Sequence, residues 1–218
     1  MARLVDLSHE IHDGLVTYPG LPEPRISTHL TRDEAEQRYA PGVTFHIGRI
    51  DMIANTGTYV DAPFHRYADG VDLSGLPLER VADVDGVLVD ATGVHAIDEA
   101  RLAEVVFAGK AVLLRTGFSR HWGTPDYSGD CPHVTAGAAA ALVSGGAAIV
   151  GIDSLNIDAT TDPERPVHTA LLRAGIPIVE HLTNLEALPA GGFRFFAAPP
   201  MIRDMGTFPV RAFAVVDS

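Results

Sequence analysis

Four short apolar runs between residues 86 and 182 constrain the fold of this chain more than any other feature. The runs are GVLVDAT (86–92), AVLLRTG (111–117), AAIVGID (147–153) and IPIVEHL (176–182). Such runs, rich in Val, Ile and Leu and bounded by glycine or polar residues, are typical of buried strands. Helical patterns separate them: IDEARLAEVVFA (97–108), TAGAAAALVSGG (135–146) and HTALLRAG (168–175). Alternating strands and helices predict a parallel or mixed sheet with helices packed on it.

The flanking regions add further strand patterns. They are RLVDLS (3–8), FHIGRIDMIAN (45–55), FRFFAAPPMI (193–202) and FPVRAFAVVD (208–217). Residues 14–42 are rich in Pro and Gly, and the charged segment TRDEAEQRYA (31–40) within them predicts a surface helix or a lid. We expect Asp98 to cap the first helix of the middle region and Gly175 to lie just past the third. No repeat or linker divides the chain, so we predict a single mixed α/β domain over residues 1–218.

The composition narrows the class of protein. Apolar residues make up 46% of the chain, enough for a sizeable core, and the net charge of −12 comes without any Lys/Arg cluster. Nucleic acid and anionic membranes are therefore not expected partners. The uncharged run 134–152 is mostly Ala and Gly, which favours a helix, a turn and a strand over a membrane span. Cys131 is the only cysteine and MARLVDLSHEIHDG has no apolar signal core, which together favour a reducing cytoplasm.

The first candidate site is NTGTYVDAPFHRYADG, residues 55–70. Pro63 disfavours a continued strand, so Asp61 is expected near a strand end and His65 on the turn that follows. A carboxylate and an imidazole there could bind a metal, or orient and deprotonate a water molecule. The alternative is an ordinary turn, in which Asp61 accepts hydrogen bonds from nearby amides and His65 lies on the surface.

The second candidate site lies in residues 151–185. Asp153 ends an apolar strand, His168 opens a helix, and Glu180 ends the next strand. The positive end of the helix dipole is expected to keep His168 neutral, as metal ligation requires. A buried Glu180 would need a partner, which a cation supplies. The alternative is that His168 caps its helix and Glu180 is a solvated strand end.

Several segments, taken in order, carry a resemblance to a known family. They are LVDLSHEIHDGLVTYPG (4–20), NTGTYVDAPFH (55–65), LLRTGF (113–118), VGIDSLNID (150–158) and HTALLRAGIPIVEHLTNL (168–185). The chain resembles the cyclase family of metal-dependent hydrolases, which includes bacterial kynurenine formamidases and isatin hydrolases. The resemblance implies a swivelling β/β/α domain that assembles as a homodimer or homotetramer.

The family motif HxGTHxDxPxH is altered in this chain. Asn55 and Tyr59 stand where the first two histidines belong, whereas Asp61 and His65 match. The later metal ligands of the family match His168 and Glu180. The resemblance therefore implies that the ion held largely by the first two histidines is lost or weakened, and that one ion remains on Asp61, His168 and Glu180. This oxygen-rich set suits zinc or manganese, with magnesium as a competitor.

The resemblance implies a metal-dependent hydrolase of a small amide-like substrate, either an arylformamide or a cyclic amide. A metal-activated water would attack, His65 would act as general base, and Tyr59 or Asn55 would donate to the oxyanion. Two alternatives remain: a non-hydrolytic binding homologue, and a cyclase or lactone hydrolase using the same His65. His46, on a predicted strand, could replace a lost ligand if its face points inward. The sequence has no P-loop and no GxGxxG pattern, so a nucleotide cofactor is not expected.

Overall fold

The computed structural model describes residues 2–217, and one nine-stranded sheet collects strands from nearly the whole of this length. The first half contains β1 (Arg3–Asp6), β2 (Arg25–Leu30), α1 (Arg32–Glu36), β3 (Ile47–Asp51), β4 (Tyr59–Asp61), β5 (Val84–Asp90) and β6 (Ala96–Ile97). The second half contains β7 (Ala111–Arg115), β8 (His133–Val134), α2 (Ala136–Ser144), β9 (Ile149–Ile152), α3 (Pro166–Arg173), β10 (Ile178–Glu180), β11 (Gly191–Phe196), β12 (Thr207–Pro209) and β13 (Phe213–Val216).

The large sheet is mixed. Its strand order is β1-β13-β11-β5-β7-β9-β10-β4-β12. The central strands β5, β7, β9 and β10 run parallel to their neighbours in this group, and the flanking pairs are antiparallel. Two small two-stranded sheets, β2–β3 and β6–β8, lie outside it. This is the mixed α/β architecture that the alternating sequence pattern predicts.

Core residues cover both faces of the central strands. On one face, Leu113 and Ile149 pack with Phe193 and Phe195. On the other face, the side chains of β7 and β9 pack against α2 and α3; they include Val112, Leu114, Val150, Ile152, Leu142 and Leu171. Strands buried on both faces need apolar residues at every position, which explains why their sequences form continuous apolar runs.

Two predicted elements differ in the structure. The segment 97–108 forms only a 3₁₀ helix over Glu99–Leu102, although Asp98 caps it as expected by accepting from the Arg101 amide at 3.3 Å. The β-branched Val105 and Val106 disfavour continuation of a helix there. Residues 25–30 form β2, within the Pro- and Gly-rich segment 14–42, where no strand was predicted.

The other helices follow their patterns. The charged segment 31–40 contains α1, which begins at a capping box formed by Thr31 and Glu34. The uncharged run 134–152 folds mainly as α2, a glycine turn and β9. Within residues 2–217, each helix falls short of the length and apolar character that crossing a bilayer requires.

The short strand β4 brings the two candidate segments together. It lies between β10 and β12 and is antiparallel to both. Tyr59 is the register partner of Glu180, and Asp61 is the register partner of Thr207. Because residues two apart on a strand point to the same face, Tyr59 and Asp61 share one side of β4.

Candidate active site

Asp61 is fully buried at the end of β4, and its two carboxylate oxygens have different surroundings. Oδ1 accepts a hydrogen bond from the Thr207 hydroxyl. Oδ2 has no hydrogen-bond partner among the described residues. Burial raises the pKa of Asp61, but His168, His65 and Thr207 outweigh it and leave the pKa lowered. A buried, ionised oxygen without a donor is costly, and a bound cation would remove that cost.

His168 faces Asp61 from the first turn of α3. Its Nδ1 lies 2.6 Å from Oδ2 of Asp158, and its Nε2 lies 3.7 Å from Asp61 Oδ2 and 3.7 Å from Glu180 Oε1. The two 3.7 Å separations are too long for hydrogen bonds. They are close to the ~3.4 Å that separates two ligands on one ion with tetrahedral bonds of about 2.1 Å. Asp158 fixes the orientation of the ring, as a carboxylate does behind many metal-binding histidines.

The expectation that the helix dipole keeps His168 neutral is wrong. Burial alone would lower the pKa of His168, but the hydrogen bond to Asp158 and the nearby Asp61 and Glu180 raise it to about 10. Full carboxylate charges at this distance exceed the half charge at the start of a helix. The position in front of Nε2 therefore attracts positive charge, for which a proton and a divalent cation compete.

Glu180 is buried at the end of β10, and both of its oxygens accept hydrogen bonds. Oε1 accepts from the Ile157 amide at 2.7 Å, and Oε2 accepts from the Tyr59 hydroxyl at 2.7 Å. Burial is the largest influence on this carboxyl and raises its pKa, and Asp61 acts in the same direction. The alternative interpretation of Glu180 as a solvated strand end is therefore wrong.

Tyr59 belongs to a buried hydrogen-bonded network behind Glu180. Its hydroxyl lies 3.2 Å from Nε2 of His181, whose Nδ1 lies 2.9 Å from the hydroxyl of Tyr127. Burial, with Glu180 and Asp61, raises the pKa of Tyr59 well above its usual range, so the phenol keeps its proton. Burial lowers the pKa of His181 to about 3, so this ring is neutral. When Tyr59 donates to Glu180, His181 Nε2–H must donate to Tyr59 and Tyr127 must donate to Nδ1.

His65 follows β4 on the 3₁₀ helix Pro63–His65, as expected, with 35% of its side chain accessible. Its Nδ1 lies 2.8 Å from the Thr207 hydroxyl and 3.7 Å from Asp61 Oδ1. The single Thr207 hydroxyl proton goes to Asp61, so Nδ1 of His65 must carry the proton in their hydrogen bond. The Nε2 lone pair of a neutral His65 is then left to accept a proton.

Gly206 brings the backbone of β12 directly against the turn that carries His65. A Cβ at Gly206 would overlap the main-chain nitrogen and Cα of His65. The Gly206 carbonyl also accepts from the Ala62 amide at 2.7 Å. The position of the His65 main chain thus depends on the absence of a side chain at residue 206.

The site opens into a cavity of about 290 Å³, a volume suited to a small ligand. Five of the six sequence-predicted site residues line it: Asn55, Tyr59, His65, His168 and Glu180. The sixth, Asp61, is buried beside His65 and His168. The remaining wall consists of Tyr18, Pro19, Gly20, Leu21, Asn156 and Arg165. The structure therefore brings together side chains that are far apart in the sequence.

Two metal-binding sets overlap in this arrangement. One ligand atom from each of Asp61, His65 and His168 lies within 4.8 Å of the others. The set predicted from sequence contains Glu180 instead of His65, and Glu180 Oε1 lies as close to His168 Nε2 as Asp61 does. Both sets share Asp61 and His168. His46 belongs to neither, because it is exposed on the β2–β3 hairpin, where its Nε2 lies 3.2 Å from the Thr28 hydroxyl.

Sequence reasoning missed the residues that hold this site in place: Asp158, Thr207, His181 and Tyr127. Asp158 follows the strand β9 by six residues, and His181 directly follows Glu180, so these two lay inside a segment already singled out. Thr207 and Tyr127 had no comparable signal, because their roles depend on a strand pairing and a loop position that no local pattern encodes.

Comparison with known proteins identifies the family of this chain. Residues 5–159 match the model of the family described as "Putative cyclase". The chain belongs to this cyclase family, which confirms the resemblance seen in the sequence.

Individual relatives align over nearly the whole chain. Kynurenine formamidase of Bacillus mycoides (strain KBAB4) is 28% identical over 212 residues, 97% of this chain and 96% of the relative. Kynurenine formamidase of Bacillus thuringiensis (strain Al Hakam) is 26% identical and covers 95% of each chain.

Solved structures confirm the mixed α/β fold. A potential metal-dependent hydrolase with cyclase activity has a TM-score of 0.81 and 27% identity, with both chains fully covered. Isatin hydrolase A from Labrenzia aggregata has a TM-score of 0.85 and 24% identity, covering 100% of this chain and 94% of its own.

Proposed function

We propose that this protein is a metal-dependent hydrolase of a small amide-like substrate, either an arylformamide or a cyclic amide. The observation that carries the proposal is the buried Asp61 Oδ2, which has no donor among the described residues and faces His168 Nε2 beside the cavity. The kynurenine formamidases among the relatives support a formamide as the bond to be cleaved. The small cavity supports a substrate of about one ring.

Asp61, His168 and Glu180 would hold one divalent cation. Two carboxylates and one imidazole suit zinc or manganese first, and magnesium remains a competitor for so oxygen-rich a set. When bound, such a cation polarises a carbonyl oxygen and lowers the pKa of water. Tyr59 cannot replace a lost imidazole as a ligand, because its raised pKa keeps the phenol protonated.

His65 supplies the proton transfers of the proposed reaction. Its Nε2 takes a proton from the attacking water as the C–O bond forms, and returns it to the nitrogen as the C–N bond breaks. The carboxylic acid and the amine are separate products for an arylformamide, and they lie on one ring-opened product for a cyclic amide. Thr207 holds Nδ1 in the protonated form, which leaves Nε2 available for this role.

Asn55 and Tyr59 have different parts in this proposal. The Tyr59 proton is already directed to Glu180, so Tyr59 positions that carboxylate. Asn55 lines the cavity and is the candidate donor to the oxyanion, a role worth roughly 3–4 kcal/mol where it is well placed.

The β2–β3 hairpin supports a homodimer or homotetramer. Every residue of β3 is exposed, and the hairpin region presents large apolar side chains to solvent: Ile26, Phe45, Ile47 and Ile50. An isolated two-stranded sheet is marginally stable, and a second copy packed on it would bury this surface. Light scattering should give a mass of two or four chains, which Ile50→Lys lowers; a monomeric mass for the unaltered protein would contradict this assembly.

The single, buried Cys131 supports a reducing, cytoplasmic setting.

The test is metal-dependent turnover. The purified protein should hydrolyse N-formylarylamines or isatin-like cyclic amides, lose the activity on chelation, and recover it with Zn²⁺ or Mn²⁺.

A second candidate, a non-hydrolytic binding protein, is favoured by the hydrogen bond that Tyr59 makes to a would-be ligand oxygen. That candidate predicts no metal in elemental analysis and no turnover with any added ion.

A further inference from the structure

Arg165 places a guanidinium at the wall of the cavity. It directly precedes α3 and lines the cavity together with His65, His168 and Glu180. The nearby carboxylates of Asp61, Asp158 and Glu180 are all buried. A guanidinium at the wall of such a cavity needs an explanation that the proposed hydrolysis does not give, since no step of it uses Arg165.

The guanidinium is anchored without being neutralised. Its Nη1 donates to Asn156 Oδ1 at 3.1 Å, and the same oxygen accepts from the Asp158 amide at 3.0 Å. Asn156 is thus fixed by its own loop and holds the arginine in place. No ion pair within residues 2–217 involves Arg165, in contrast to Arg115, Arg173, Arg194 and Arg211.

A half-buried arginine with one hydrogen bond to protein retains most of its five N–H donors. Its planar fork matches a carboxylate, to which it can donate two parallel hydrogen bonds. The cavity wall also contains Tyr18, Pro19 and Leu21, which offer an apolar surface. The wall therefore combines a surface for a ring with a donor group for an anion.

We infer that Arg165 determines specificity by binding a carboxylate on the substrate, so that the substrate class is a carboxylate-bearing aryl amide. The inference rests on the proposed hydrolase function and narrows it. Arg165 would offset the repulsion between an anionic substrate and the nearby carboxylates of Asp61, Asp158 and Glu180. A neutral aryl amide would gain nothing from this contact.

The kinetic test uses matched substrates on the metal-loaded protein. Formamidobenzoates with ortho, meta or para carboxylates are compared with the corresponding neutral formamidobenzamides. For at least one ring position, kcat/KM should be at least tenfold higher for the carboxylate, and Arg165→Gln should reduce this ratio to below threefold, mainly through KM. Arg165→Lys, which keeps the charge without the fork, should give an intermediate ratio.

Arg173→Gln is the matched control. Arg173 lies at the far end of α3, over the Tyr67 ring, and its substitution removes the same charge. This variant should keep the full preference for the carboxylate. A purely structural role of Arg165 would lower turnover of charged and neutral substrates alike. An unchanged ratio in Arg165→Gln would overturn the inference while the hydrolase proposal stands.

A binding measurement separates the two proposals. Calorimetric titration with benzoate, against benzamide, should show benzoate affinity at least tenfold weaker in Arg165→Gln than in the unaltered protein or Arg173→Gln. If no formamide is hydrolysed, the hydrolase proposal fails and this titration still decides the role of Arg165. Equal benzoate affinity in all three proteins, or no benzoate binding at all, would refute the carboxylate contact.

Discussion

Tyr59 and Glu180 are register partners on adjacent antiparallel strands, and the Tyr59 hydroxyl donates to Glu180 Oε2 at 2.7 Å. The resemblance seen in the sequence implies a metal-binding histidine at the position of Tyr59, whereas the Tyr59 side chain holds the carboxylate of the neighbouring strand. The cross-strand pairing explains why this exchange fits: a phenol at residue 59 reaches the partner that lies directly opposite.

Tyr59→Phe should destabilise the protein by about 1–3 kcal/mol, because it leaves buried polar atoms of Glu180 and His181 without a partner. Chemical denaturation measures this loss. Tyr67→Phe is the matched control, since its hydroxyl donates to the Thr169 carbonyl at 2.8 Å, away from the buried carboxylates, and its loss should be smaller. Equal losses in the two variants would contradict the network behind Glu180.

Asn55→His combined with Tyr59→His should raise the metal content from one ion to two per chain. The double change restores the histidines of the family motif next to Asp61, which the resemblance implies bridges two ions. Elemental analysis after loading with Zn²⁺ gives the count, with Asn55→His alone as the control that should stay near one. A content that remains at one in the double variant would refute this account of the altered motif.

His65→Ala should strongly reduce turnover while leaving the affinity for the ion within about threefold, because we assign His65 to proton transfer. General-base catalysis typically contributes about 10²–10⁴-fold, which sets the size of the expected loss. His46→Ala, an exposed histidine on the hairpin, is the control. A much weaker ion affinity in His65→Ala would instead make His65 a ligand, as the cluster of Asp61, His65 and His168 allows.

After chelation of the ion, the unaltered protein should lose stability relative to the His168→Gln variant as the pH rises. The pKa of His168 is raised from 6.5 to about 10, so the stabilisation from its protonated form is complete below about 6.5 and is lost towards about 10. The difference in free energy of unfolding between the two proteins should therefore shrink over this range. Ion affinity should rise over the same range, since a proton must leave Nε2. A constant difference would contradict the raised pKa.

Asp158→Asn should weaken ion binding by about 10–100-fold, because Asp158 orients the ring of His168, a proposed ligand, and is not itself among the proposed ligands. Asp162→Asn removes the same charge from the same loop and should bind the ion as the unaltered protein does. Calorimetric titration of the Asp158→Asn and Asp162→Asn variants with Mn²⁺ measures the difference in affinity. Equal affinities would show that the 2.6 Å contact between Asp158 and His168 does not support the site.

The sequence was informative wherever a local pattern determines the structure. The apolar runs of β7 and β9 predicted buried strands because both faces of these strands are covered. Pro63 correctly indicated that Asp61 ends a strand and that His65 lies on a turn. The clustering of all six candidate residues was predicted through the family resemblance, since their sequence separations contain no distance information.

The remaining features depend on pairings between distant parts of the chain. Thr207 contacts Asp61 only because β12 is placed beside β4, and the order of strands has no signature in local composition. The charge state of His168 was mispredicted because the prediction used the helix dipole alone: it left out the charges of Asp61 and Glu180, and Asp158 had not been singled out. The 3₁₀ helix at Glu99–Leu102 shows the opposite case, in which a helical pattern of polar and apolar residues was too weak to extend.

The close approach of Gly206 to His65 has a consequence for how this family member can diverge. Two main chains meet there with no side chain between them, so the location of the imidazole is a matter of backbone geometry. Residues around the cavity can change, as the resemblance implies for Asn55 and Tyr59, without shifting that ring. A single methyl group added at residue 206 would push the imidazole away from Thr207. Residue 206 must therefore remain glycine even if other residues around the cavity vary with substrate preference.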